Sequence, residues 1–149
     1  MMLTLPITLT IAAGAAILNI WLMMRCGQAR GASGVWVGDG GNDLLTRRTR
    51  AHANFVEYAP FVLILLAGIE LAGGSTTWLW VAGAVFVVAR VAHGLGMDRP
   101  APNPLRAGGI AATWIVMAGL AIWALVLVYG GDTRADGTIT TVPIDASRG

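Results

Sequence analysis

The sequence predicts an all-α membrane protein, a bundle of four transmembrane helices, and three observations predict it. Hydrophobic residues make up 56% of the 149-residue chain and charged residues 12%, about half the charged share of an ordinary soluble domain. The apolar residues fall into four runs that can each cross a bilayer, alone or with their flanks. Eight of the ten arginines lie in the first and third connections between those runs or in the helix ends beside them.

A chain so poor in charge cannot cover a water-facing surface. All ten basic residues are arginine and none is lysine, which suits planar contacts with carboxylates or backbone better than a solubilising coat. The formal charge of +2 is too small to point to nucleic acid. Cys26 is the single cysteine, so no intrachain disulfide forms; beside a membrane segment it reads as a small buried hydrophobe, with acylation or redox work as the alternatives. His52 and His93 have no companion His or Cys at ligand spacing, and no metal site is expected.

The four spans are read at about 3–25, 44–72, 75–97 and 104–130, with 132–149 as a flexible tail. The first begins in a stretch, residues 1–24, without a charged side chain. It lacks the basic start and small-residue cleavage signal of a secretory leader and is read as a retained helix. In the second, the apolar run Tyr58 to Ile69 is too short alone, so the helix starts near Leu44 and carries Arg47, Arg50, Asn54 and Glu57 in its first half. The third ends in Arg90-Val91-Ala92-His93, and the fourth is uncharged from Ala107 to Gly131. Gly38-Asp39-Gly40-Gly41 reads as a turn ahead of an N-cap at Asn42 or Asp43. Four spans put both termini on one side, and the arginines around the first and third loops place those loops in the cytoplasm.

Charged side chains within a bilayer cost about 2.5–3.5 kcal/mol each on insertion scales, so they face a partner or a polar cavity. Arg47, Arg50, Asn54 and Glu57 lie at i, i+3, i+7 and i+10 along one helical stripe, and Arg90 enters at a similar depth. One account pairs Glu57 with Arg90 in the core and lets the outer arginines snorkel to the headgroups. It explains Arg106 less well. Asn103-Pro104-Leu105-Arg106 reads as the cap and first turn of the fourth helix, where a cation opposes the helix dipole unless something negative sits nearby. Arg30, Arg47, Arg50, Arg90 and Arg106 outnumber the neighbouring acids, and an anionic ligand would balance them.

Arg50-Ala51-His52-Ala53-Asn54-Phe55-Val56-Glu57-Tyr58-Ala59-Pro60 resembles the second-helix signature of the MAPEG family, the membrane-associated proteins in eicosanoid and glutathione metabolism. That signature runs Arg-Ala-x-x-Asn-x-x-Glu-x-x-Pro. Arg90-Val91-Ala92-His93 is similar to the family's third-helix motif, and Arg106 to the arginine that opens its fourth helix. The Gly38-Asp39-Gly40-Gly41 turn and His52 to Tyr58 resemble a branch of small bacterial inner-membrane members.

The resemblance implies a homotrimer that binds glutathione as co-substrate between subunits near the cytoplasmic face. It implies Arg30, Arg50, Asn54, Glu57, Arg90 and His93 as glutathione-binding residues, with Arg25 a rival for the place of Arg30, and Arg106 as the catalytic residue that stabilises the thiolate. Glutathione's two carboxylates suit bidentate arginine, and its ammonium suits Glu57. The chain departs from the family pattern at Ala53, where an arginine is common, and at Met97 and Ile110, where tyrosines are common. Two function classes follow. One is a membrane-bound, glutathione S-transferase-like enzyme or peroxidase acting on lipophilic electrophiles dissolved in the membrane lipid. The other is a non-catalytic subunit of a larger membrane complex, its arginines holding anionic lipid.

Overall fold

The structure, a computed structural model, describes residues 5–130. Four helices run in chain order: α1 (Pro6–Ser33), α2 (Asp43–Leu71), α3 (Thr76–Gly96) and α4 (Pro104–Tyr129). All four are long and apolar enough to span a membrane; the shortest, α3 with 21 residues, reaches about 32 Å at 1.5 Å per residue. The tail 132–149 lies outside the described residues.

Local chemistry sets the helix ends. Pro6 and Pro104 stand at the first helical positions of α1 and α4, where a missing N–H costs nothing. Asn42 caps α2 by accepting from the N–H of Leu45 at 2.9 Å, and Asn103 caps α4 by accepting from Leu105 at 3.0 Å. α1 runs on to Ser33, well past Arg25, and stops at Gly34 with φ 68°, the left-handed turn that glycine adopts without strain. Charge at Arg25 marks where the apolar span ends, whereas the helix itself needs a backbone breaker.

The helices form a four-cornered bundle in which α1 touches α2 and α3, α4 touches the same two, and α1 and α4 stand at opposite corners. Its core is layered from Leu18, Leu22, Val62, Leu66, Leu79 and Leu120, with the rings of Phe55 and Phe86 stacked at 6.4 Å between centroids. The outer face is apolar too: Ile17, Ile64, Val88, Ile115 and Ile122 are all exposed. A surface of this kind is stable only against lipid or another apolar chain.

The two ends of the bundle differ. Every arginine among the described residues lies in the half that holds the α1–α2 and α3–α4 connections. At the other end Glu70, in the last turn of α2, reaches the start of α1. Its Oε1 accepts from Ile7 N–H at 2.9 Å and its Oε2 from Thr8 N–H at 2.8 Å. α1 has no side-chain cap of its own, so this carboxylate satisfies two orphan first-turn donors and complements the helix dipole. Replacing Glu70 with alanine is expected to cost about 1–3 kcal/mol, as befits hydrogen bonds to a charged acceptor. Glu70→Gln, which keeps one acceptor, should lose less. Thermal unfolding of both variants in detergent checks the order; equal midpoints for wild type and Glu70→Ala would refute the clasp.

At the arginine end a second clasp joins three helices. Asp98, just after α3, accepts from Arg48 Nε at 3.0 Å and Nη2 at 3.2 Å and pairs with Arg25. Arg48 also donates to the carbonyl of Arg25 at 3.1 Å, and Arg25 to that of Gly94 at 3.0 Å, while its guanidinium lies 4.4 Å from the Trp21 ring centroid. Burial pushes the Asp98 carboxyl up, but the hydrogen bonds from Arg48 and Arg25 outweigh it and hold the group below the usual aspartate range.

Candidate functional site

The contact between α3 and α4 fixes the site. Gly109 lies so close to α3 that a Cβ there would come 2.6 Å from the carbonyl oxygen of Ala89 and 2.7 Å from the backbone nitrogen of His93. A Cβ on Gly96 would likewise fall 2.9 Å from Leu105 C and Arg106 Cα. With no side chain at either position, the first turns of α4 lie directly on the last turns of α3. Arg106 is thereby brought beside His93, whose Nδ1 is 3.1 Å from the Arg106 carbonyl oxygen.

Between α2, α3 and α4 this arrangement leaves a polar cavity of about 280 Å³, lined by Arg50, Ala53, Asn54, Glu57, His93, Met97, Arg106 and Ile110. Each helix contributes by its own period: α2 supplies i, i+3, i+4 and i+7, and α3 and α4 each supply an i, i+4 pair. Its size is at the lower end of small-molecule sites, roughly 300–1,000 Å³. A second cavity of about 250 Å³ shares Arg50 and Ala53 with it and continues past Thr46 and Thr49 to Arg30.

Arg50, Glu57 and Arg106 are exposed and make no side-chain hydrogen bond or ion pair among the described residues. Two guanidinium groups and one carboxylate therefore stand ready for an outside partner. Such an arrangement can hold a ligand bearing more negative than positive charge, with any ammonium at Glu57.

The other sequence candidates lie differently. Arg90 is 1% exposed and sits behind the cavity wall, where Nη2 donates to Asn54 Oδ1 at 2.8 Å and Cζ lies 5.9 and 5.8 Å from the ring centroids of Phe55 and Tyr58. The core ion pair of Glu57 with Arg90 is not formed. Asn54 takes the guanidinium, since a neutral amide is cheaper to bury than a carboxylate, and Glu57 faces the open cavity. Arg90 Nε and Nη1 are buried without a partner among the described residues.

Arg30 lies outside the main cavity and donates through Nη1 to the carbonyls of Val35, Trp36 and Gly38 at 3.4, 3.3 and 3.0 Å. It closes the first loop and lines only the second cavity. Arg25 belongs to the Asp98 clasp, and Arg47 pairs with Asp43 at 2.6 Å, one turn back on the same helix. His52 Nε2 meets Asn19 Oδ1 at 2.9 Å, away from the site. Sequence reasoning missed the pair formed one turn deeper, where the Trp114 indole N–H donates to Tyr58 Oη at 3.1 Å. The signal is a Tyr in the second span and a Trp in the fourth, two side chains with a polar tip that seeks a partner when it lies in an apolar span.

Four apolar helices, with a cavity lined by Arg50, Glu57 and Arg106 at one end of the bundle, define a multi-pass membrane protein. Residues 8–126 match the MAPEG family, and the chain belongs to it. It is also similar to inner membrane protein YecN of Escherichia coli strain K12, at 32% identity over 80 residues, and to the YecN of E. coli O6:H1 strain CFT073 at the same identity. The matched segment covers 54% of this chain and 60% of each of those relatives.

Proposed function

We propose that the protein is a bacterial inner-membrane, glutathione-dependent transferase or peroxidase that acts on lipophilic electrophiles arriving through the bilayer. The observation that carries this reading is the grouping of Arg50 and Arg106 with Glu57 around one cavity, all three without an ion-pair partner among the described residues. Arginines alone would serve a phosphate headgroup. A carboxylate among them makes sense for a ligand that also carries an ammonium, and glutathione has two carboxylates and one ammonium. Arg50 then takes a carboxylate, Asn54 is held in place by Arg90, Glu57 takes the ammonium, and Arg106 faces the thiol.

The same exposure supports a homotrimer. Arg50, Glu57 and Arg106 open onto the side of the protomer between lipid-facing helices, and a neighbouring subunit that covers them removes charge from the lipid. The clustering of arginines at one end of the bundle supports a cytoplasmic position for that end.

Calorimetric titration of the detergent-solubilised protein with glutathione is the test, with native mass spectrometry on the same preparation. Binding at millimolar concentration or tighter, a trimer, and turnover of a halonitroarene are the expected results. A silent titration would overturn the reading. A second reading, a non-catalytic subunit of a larger complex, is favoured by one observation: the cavity presents Ala53, Met97 and Ile110 where relatives in the family bring polar side chains. A silent titration at millimolar glutathione would favour it.

A further inference from the structure

Arg106 can stabilise a thiolate, but a cation cannot remove the proton that forms one. Among the cavity residues, the groups able to accept a proton at neutral pH are Glu57 and His93. Glu57 stands on the α2 wall with Arg50 and is committed to the ligand's ammonium in the proposed pose. His93 stands on α3, opposite the place where Arg106 presents its guanidinium.

We propose that His93 is the base that takes the thiol proton, through Nε2; this rests on the glutathione reading of the cavity. The geometry fixes which nitrogen is free. Nδ1 lies 3.1 Å from the Arg106 carbonyl oxygen, and a carbonyl oxygen only accepts, so Nδ1 carries the hydrogen and Nε2 carries the lone pair. Nε2 has no hydrogen-bond partner among the described residues and is not among their buried unpaired atoms, while the ring lines the cavity. An Nε2 that is neither bonded nor fully buried among the described residues, on a residue that lines the cavity, is the nitrogen open to a ligand there.

Charged groups surround the ring on three helices. Arg90 lies one turn back on α3, Arg106 on α4, and Arg50 and Glu57 across the cavity on α2. A proton accepted at Nε2 is passed on to water. In the step itself the S–H bond breaks, its electron pair stays on sulfur, and a new N–H bond forms at Nε2; water then takes that proton and restores the neutral ring. The thiolate remains beside Arg106. No tyrosine hydroxyl competes at this point of the cavity, because Met97 and Ile110 occupy its remaining corners.

The test separates a base from a spacer. His93→Asn places an amide nitrogen where Nδ1 stood, so the bond to the Arg106 carbonyl is retained while the basic nitrogen is removed. Glutathione affinity by calorimetry is expected to stay within about threefold of wild type. The stopped-flow rate of thiolate absorbance, with matching proton release to an indicator, should fall about 100-fold, the lower range of a general base's contribution, and recover in part with added imidazole. The nitrogen-15 shifts of His93 in the ligand-free wild type should show the Nδ1–H form, a readout that needs no variant to fold. A folded His93→Asn protein that binds glutathione and forms thiolate at the wild-type rate overturns this proposal alone, as does an Nε2–H form in the spectrum. Failure of the wild type to bind glutathione overturns the proposal together with the reading beneath it.

Discussion

Asp98→Asn is expected to lower stability by about 2–4 kcal/mol, from the 3–5 typical of a broken buried ion pair reduced for the partial exposure of the carboxylate. The side chain of Arg25 is only 9% exposed and that of Asp98 31%. Asparagine keeps one oxygen acceptor and no charge, so Arg25 and Arg48 both lose their ion pair and the contacts to one of the two oxygens. A buried guanidinium on Arg25 is left with the Gly94 carbonyl and the Trp21 ring as its other partners. Those two arginines come from α1 and α2, and the acid follows α3, so the loss loosens three helices at once. The loss has a defined pH dependence. The folded protein favours the ionised carboxyl, so the contribution is complete at neutral pH and is lost as pH falls from the ordinary aspartate value of 3.8 through the lower folded value. Thermal midpoints of wild type and Asp98→Asn should therefore differ most at neutral pH and draw together as pH falls below 3.8. A constant gap across that range would show that Asp98 acts by something other than its charge.

The four helices were legible because the bilayer imposes a strong code, a run of apolar residues about 30 Å long, and because Asn103-Pro104 and Asn42 mark helix starts in the usual way. The stripe of Arg50, Asn54 and Glu57 was legible for the same kind of reason: a helix turns by a fixed angle, so spacing alone puts these residues on one face. Partner choice was not. Nothing in the order of residues says that Arg90 takes the neutral Asn54 while Glu57 stays open, because that depends on which group loses less hydration in the wall of the cavity. Asp98 and Glu70 were overlooked for a related reason. Each sits in or beside a helix end, where a carboxylate looks like ordinary solvation, and its value comes from partners 50 to 73 residues away in the case of Asp98 and 62 to 63 in the case of Glu70. Arg30 shows the converse. Likeness to a family position puts it with the site, and its side chain donates to the loop carbonyls that follow α1 and lines the second cavity beside Arg50, contacts that likeness alone does not give.

The largest chemical effect is expected from Arg106→Ala, on the reading that its guanidinium faces the bound thiol. Folding should change by less than about 0.5 kcal/mol, since the side chain is exposed, has no partner among the described residues, and puts a cation in the first turn of α4 against the helix dipole. A guanidinium about 4 Å from sulfur contributes up to roughly 4 kcal/mol at an effective dielectric near 20, equivalent to a shift of up to about three pKa units in the thiol. Removing it should return the thiolate of bound glutathione toward its value in water. Turnover should fall about 10²–10³-fold, the range found when one charge-stabilising donor is removed, while glutathione affinity changes little, because the contact strengthens only once the thiolate forms. Arg106→Lys should recover part of the rate, as a point charge replaces the planar group. The measurement is ultraviolet thiolate absorbance of bound glutathione against pH for wild type and both variants, beside affinity and turnover on the same samples. If Arg106→Ala retains the wild-type thiolate titration, or loses affinity in proportion to rate, then Arg106 is a carboxylate anchor and the thiolate is stabilised elsewhere.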